Sequence, residues 1–218
     1  MKIDYKIQFD SNHKLKHFLN TELLTHENIK EILDLADDYS KSGQTKFKDL
    51  EGKTIASLFF EPSTRTKTTF ELAAKRLSAD FINIDIANSS TLKGESIIDM
   101  IKTLEAMQCD MFIVRHSASG TPHYIAKEVG NKIAVINAGD GIHAHPTQAM
   151  LDMYTIRKYK GDFKNLNVSI VGDILHSRVA KSLISSLNIL SVDNINIIGI
   201  YRPLNWIFLK VQNLEAFP

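Results

Sequence analysis

Glu61-Pro62-Ser63-Thr64-Arg65-Thr66 gathers three hydroxyls and a guanidinium directly behind an apolar run at 55–60. Pro62 stands where a helix can begin, so the following residues offer backbone N–H groups that no helical carbonyl takes. A helix N-terminus favours anions, and Arg65 adds a planar fork suited to phosphate oxygens. The chemistry this suggests is phosphate binding; the plainer reading is a Ser/Thr cap beside a solvated arginine. Four further clusters are Ser89-Ser90-Thr91-Leu92-Lys93-Gly94-Glu95, Arg115-His116, Asn137-Ala138-Gly139-Asp140-Gly141 with His145-Pro146-Thr147-Gln148, and Gly172-Asp173-Ile174-Leu175-His176-Ser177-Arg178.

The elements that must position these clusters are read from periodicity. Strand-like runs fall at 55–60, 81–86, 111–114, 133–136, 168–171 and 195–198. Helical patterns lie between them, around 66–77, 97–107, 122–129, 146–159 and 177–188. Thr25 reads as an N-cap before Ile29, Ile32, Leu33, Ala36 and Tyr39, at helical spacing. Residues 1–16 are polar and expected to be loosely held. Alternating strands and helices predict an α/β fold: a parallel sheet with helices on both faces. Strands buried on both sides read as continuous apolar runs, as IASLFF and MFIV do. Four strands precede residue 145 and two follow, which predicts a first domain over 1–150 and an incomplete second α/β domain over 151–218. Ligands of open α/β sheets bind beyond the carboxyl ends of the strands. Each polar cluster follows a strand.

Composition narrows the class. The 218 residues carry 26 Lys+Arg against 25 Asp+Glu, a net charge of +1, which gives no electrostatic reason to expect nucleic acid or an anionic membrane as partner. The apolar share of 44% and charged share of 23% are those of a globular protein. A lone cysteine, Cys109, allows no internal disulfide, and a reducing cytoplasm is the expected compartment. No stretch reaches the roughly 18 apolar residues of a membrane helix, and the first ten residues carry Lys2, Asp4 and Lys6 without an apolar run, unlike a secretory signal.

Phe59-Phe60-Glu61-Pro62-Ser63-Thr64-Arg65-Thr66 resembles the phosphate-binding signature of the aspartate and ornithine carbamoyltransferases. Lys93-Gly94-Glu95, Val114-Arg115-His116, Asn137-Ala138-Gly139-Asp140-Gly141, the HPTQ segment and GDILHSR resemble the aspartate branch, in order, from about residue 20 to 199. Thr147 stands where the ornithine branch usually has cysteine. The resemblance implies transfer of the carbamoyl group from carbamoyl phosphate to the amino group of L-aspartate, without metal or cofactor. It implies that Ser63, Thr64, Arg65 and Thr66 cradle the phosphate. Thr66, Arg115 and His145 would polarise the carbamoyl oxygen, and Gln148 would hold the carbamoyl amide. Arg178 would grip an aspartate carboxylate. Lys93, with Ser89 or Ser90, would enter the neighbouring subunit's site in a homotrimer, to which a regulatory chain could attach.

Other features read more plainly. Asp140, His143 and His145 fit no common zinc spacing. His116, His143 and His176 are expected to be structural or solvated, and Cys109 a small buried apolar residue. Gly52-Lys53-Thr54 precedes a strand instead of following one, unlike a P-loop. The family likeness ends near Gly199. The tail, with Trp206, Ile207, Phe208 and Leu209, reads as an ending unlike the family's, with a truncated chain as the expectation. An incomplete aspartate half opens the alternative of a non-catalytic carbamoyl-phosphate-binding module or pseudoenzyme subunit.

Overall fold

The computed structural model describes residues 5–84, 86, 96–201 and 205–211. Contacts divide the chain into two units, Met1–Leu19 with Tyr39–Gly141 and Asn20–Asp38 with Ile142–Pro218.

The first unit is built on four parallel strands: β1 (Thr54–Phe59), β2 (Asp80–Ile84), β3 (Met111–His116) and β4 (Ala134–Asp140), in the order β2-β1-β3-β4. Its crossovers carry α2 (Thr64–Arg76), α3 (Ile97–Ala106) and α4 (Thr121–Val129). Alternation along the strands sends side chains to two cores. Ala56, Leu58, Phe112, Val114 and Val135 pack with Ile101 and Leu104 of α3 and Ile125, Ala126 and Val129 of α4. Ile55, Ile113 and Ala138 pack on the opposite face with Ala74 of α2. Both faces are therefore covered, which is why the central strands are apolar along most of their length. Cys109 lies buried against the first of these cores, and burial raises its thiol pKa. Gly52 takes a left-handed turn, and Lys53 pairs with Asp110 at 2.9 Å just before β1.

The expectation that residues 1–16 are loosely held fails over the described part. Gln8 is fully buried; its side-chain oxygen accepts Leu19 N–H at 2.8 Å and its carbonyl accepts Lys16 and His17 N–H. Phe18 then bridges to β4, donating to Val135 O and accepting from Asn137 N–H. The strap is held by main-chain pairing to an edge strand and by Leu19 and Ile7 packing on the first core, neither of which composition reports.

The second unit holds α1 (His26–Lys41) for most of its length, α5 (Pro146–Lys160), α6 (Arg178–Ile189) and a three-stranded sheet. Thr25 caps α1 as expected: its Oγ accepts Asn28 N–H at 3.1 Å and the Asn28 side chain accepts Thr25 N–H at 3.0 Å. Arg157 of α5 pairs with Asp34 of α1 at 2.6 Å. Strands β5 (Asn167–Gly172) and β6 (Asn194–Tyr201) are parallel, and Ile170 and Ile197 pack against Ala180 and Ile184 of α6. Where two strands were expected there are three. Strand β7 (Asn205–Val211) pairs antiparallel with β6, from Ile195↔Val211 to Tyr201↔Asn205. A connection this short can only reverse the chain, and Asn-Trp-Ile-Phe-Leu-Lys-Val is strand-rich in composition. Among the described residues no helix is long and apolar enough to cross a membrane.

Candidate active site

Strands β1 and β3 are neighbours, with Phe59 opposite Arg115, so their carboxyl ends bring two of the predicted groups together. The chain leaves β1 through Phe60, Glu61 and Pro62 and enters α2 at Thr64, with Ser63 as the N-cap residue. The first helical bond runs from Lys67 N–H to Ser63 O at 3.1 Å, which leaves the amides of Thr64, Arg65 and Thr66 ahead of the helical ladder. The Ser63 side chain makes no capping bond. The first turn contains no acidic residue, although Arg65 and Lys67 both lie in it. Cations at the positive end of a helix dipole are unfavourable alone, and a bound anion reverses that. Thr64 and Arg65 are exposed; Ser63 and Thr66 are half-buried.

Arg115 ends in a polar cradle. Its Nε lies 2.6 Å from a Glu61 carboxylate oxygen, and its Nη1 donates to Ala138 O at 3.2 Å. The carbonyl is available because the β3–β4 register shifts between Val114 and His116: Val114 faces Asn137 while His116 faces Asp140, leaving an extra residue on β4. Bulges of this kind re-aim side chains beside functional sites. Asn137, fully buried, holds the bulge from both ends: Nδ2 donates to Leu19 O and Oδ1 accepts Gly139 N–H, each at 2.8 Å. Buried Asp140 accepts Gly120 N–H at 2.7 Å, at the entry to α4. Gly141 lies against Ser119, where a Cβ would come within 2.3 Å of the Ser119 hydroxyl oxygen. His116 stacks on Phe60 at 4.8 Å and its Nδ1 accepts Ala118 N–H at 2.7 Å; burial lowers its pKa. It is held by the fold, as expected of a structural histidine.

In the second unit His145 is the N-cap residue of α5 and is buried. Its backbone N–H donates to Ser182 Oγ at 3.0 Å, and the Ser182 carbonyl accepts the Thr21 hydroxyl at 3.1 Å. The Thr147 hydroxyl lies 3.4 Å from His145 Nδ1. A hydroxyl donating there leaves Nε2 as the proton-bearing nitrogen. Gln148 follows one turn in, half-buried, and donates from Nε2 to Asp152 at 2.9 Å. Burial raises the Asp152 pKa, and the Gln148 bond opposes that rise. Arg178 opens α6, half-buried, after Ser177, whose hydroxyl accepts Ala180 N–H. His176 is exposed and pairs with Asp173 at 2.8 Å.

Ser63, Thr64, Arg65, Thr66 and Arg115 thus belong to the first unit; His145, Gln148 and Arg178 belong to the second. Lys93, Ser89 and Ser90 lie outside the described residues. No group of three His, Cys, Asp or Glu side chains is placed to hold a metal among the described residues. Three participants carried no assigned role in the sequence reading: Glu61, Asn137 and Asp152. Glu61 and Asn137 sit inside recognised motifs. Asp152 has one visible signal, its spacing four residues from Gln148 on a helix.

The family model described as aspartate/ornithine carbamoyltransferase, carbamoyl-P binding domain, matches residues 16–158. The catalytic subunit of M. jannaschii aspartate transcarbamoylase is similar at 34% identity and a TM-score of 0.75, over 88% of this chain and 62% of that one. An aspartate transcarbamoylase from Trypanosoma cruzi, solved with carbamoyl phosphate and aspartate, is similar at 30% identity and a TM-score of 0.72, over 79% of this chain and 53% of that one. The same enzyme with N-(phosphonacetyl)-L-aspartic acid matches at 27% identity and a TM-score of 0.73, over 86% and 59%. The chain therefore spans a little over half the length of these relatives from T. cruzi. The α/β fold, the site motifs in order and the family match agree: the chain belongs to the aspartate/ornithine carbamoyltransferase family, and residues 16–158 match its carbamoyl-phosphate-binding domain.

Proposed function

We propose that this chain binds carbamoyl phosphate and transfers its carbamoyl group to the amino group of L-aspartate, giving N-carbamoyl-L-aspartate and phosphate. The observation that carries the reading is the basic, carboxylate-free first turn of α2 at the end of β1, with Arg115 on the neighbouring strand. The relatives from T. cruzi solved with carbamoyl phosphate, aspartate or a phosphonacetyl-aspartate compound support it.

In this reading the phosphate rests on the amides and hydroxyls of Ser63, Thr64 and Thr66 and on the Arg65 guanidinium. The aspartate amine attacks the carbamoyl carbon; a C–N bond forms, and the carbonyl oxygen becomes an oxyanion. Donors aimed at that oxygen lower the barrier, and we assign this to Thr66, Arg115 and His145. The carbonyl then re-forms as the C–O bond to phosphate breaks, the electron pair leaves with the phosphate, and the extra proton of the amine passes to that phosphate. Gln148 takes the carbamoyl amide. Arg178 and Lys93 take aspartate carboxylates, Lys93 from a neighbouring subunit of a homotrimer. The proposed site uses side chains, backbone amides and no metal.

Calorimetric titration of the chain with carbamoyl phosphate, then with a phosphonacetyl-aspartate bisubstrate compound, tests the reading. Binding of both, the second much more tightly, supports transfer to aspartate. Binding of carbamoyl phosphate alone overturns the aspartate step, and binding of neither overturns the whole reading. Arg65→Ala is expected to weaken carbamoyl phosphate about 10- to 100-fold, the worth of one charge-assisted hydrogen bond.

A further inference from the structure

Asp152 is a half-buried carboxylate on α5 with no cation against it: among the described residues it forms no ion pair. Burying an uncompensated carboxylate costs free energy, and burial accordingly raises its pKa. Its hydrogen-bond partner is the Gln148 amide nitrogen, 2.9 Å away. An ionised carboxylate only accepts hydrogen bonds, whereas a glutamine amide offers a donating nitrogen and an accepting oxygen. The carboxylate therefore settles which end of the Gln148 amide turns toward it. The nitrogen faces Asp152, and the oxygen is left as the outward group.

That orientation matters for what Gln148 can recognise. A carbamoyl –NH2 carries two donors and needs an acceptor. A Gln148 amide turned the other way would set NH2 against NH2. We infer that Asp152 is a positioning residue that fixes the Gln148 amide with its oxygen outward, and so selects a carbamoyl group over an isosteric acyl group. This rests on the proposed assignment of Gln148 to the carbamoyl amide. It adds a residue outside every recognised motif and a specificity that the assignment alone does not contain. Acetyl phosphate is the discriminating probe, because a methyl group replaces the –NH2 at nearly the same size and donates nothing.

The test measures calorimetric Kd values of the full chain for carbamoyl phosphate and acetyl phosphate. The variants are Asp152→Asn, Asp152→Glu, Gln148→Met and the double variant Asp152→Asn/Gln148→Met. Asparagine can present either its oxygen or its nitrogen to Gln148, so it removes the orientation while keeping the shape. The preference for carbamoyl over acetyl phosphate is expected to fall about three- to tenfold in Asp152→Asn, the cost of ordering one long side chain, with acetyl phosphate binding unchanged. Asp152→Glu keeps an acceptor-only group and is expected to retain most of the preference. In the Gln148→Met background, Asp152→Asn is expected to add nothing. An equal loss for both ligands in Asp152→Asn assigns Asp152 a purely structural part and overturns the inference. So does an unchanged ratio, or a further loss in the Gln148→Met background. Should Asp152→Asn fail to fold, loss of the preference in a folded Asp152→Glu overturns it. A wild-type chain that binds neither ligand overturns the functional reading itself. One that binds both alike overturns the assignment of Gln148.

Discussion

Lowering the pH from 7 to 5 is expected to cost the first unit about 2 kcal/mol through one side chain, His17. The ring is 2% exposed, wedged between the N-terminal strap and the sheet. Its Nδ1 accepts Val135 N–H at 3.1 Å, and its other nitrogen bonds the Gly130 backbone. Burial, with a smaller push from Lys16, lowers its pKa from 6.5 to about 4. The folded chain therefore keeps the ring neutral while the unfolded chain takes up a proton below pH 6.5. This contribution is complete above pH 6.5, falls as the pH drops toward 4, and is flat below that. At pH 5 protonation favours the unfolded ensemble by about 30-fold, or about 2 kcal/mol, and the whole effect is about 3.4 kcal/mol. His116, also lowered by burial, acts in the same direction, so the informative quantity is wild type minus His17→Asn. The lowered carboxylates of Glu71, Glu105 and Asp110 lose their contribution only below their ordinary range, outside this window. Urea unfolding of both proteins at pH 7, 6 and 5 gives the difference, and the His17 proton resonances give the pKa directly. A difference that stays flat from pH 7 to 5 refutes the reasoning, as does a ring that titrates near 6.5.

Two further predictions concern the same sheet. Ser57 is fully buried on β1, and its hydroxyl has no hydrogen-bond partner among the described residues. Ser57→Ala is therefore expected to leave stability unchanged or raise it by about 1 kcal/mol in urea unfolding; a loss of that size would show a partner at work. Asn137→Leu strands both the Leu19 carbonyl and the Gly139 amide in the interior and is expected to cost about 2–5 kcal/mol. Because the Ala138 carbonyl holds Arg115, the folded variant is also expected to bind carbamoyl phosphate more weakly; an unaltered Kd would sever the bulge from the site.

The central strands of the first sheet were legible in the sequence because helices bury them on two faces and leave them apolar along most of their length, as Ile55, Ala56 and Leu58 are. Helix α1 was legible from Thr25 and its 3.6-residue spacing, since capping and amphipathic packing are local. The framework of the proposed phosphate cradle was legible for the same reason: the strand β1, a turn and the N-terminus of α2 are consecutive in the chain. Tertiary structure decided what depends on distant partners. Gln8 and His17 look like surface residues until the Leu19 and Val135 amides donate hydrogen bonds to their side chains, the latter from 118 positions away. Strand β7 had no familiar motif to announce it, and its pairing with β6 decides its direction. The Glu61–Arg115 pair and the bulge that offers the Ala138 carbonyl exist only once β1, β3 and β4 are in register. Residue type and short-range spacing thus carried the motifs on which the proposed chemistry rests. The placement of these groups came from pairing across the sheet and, in α5, from one helix turn, where half-buried Asp152 accepts a hydrogen bond from the Gln148 amide.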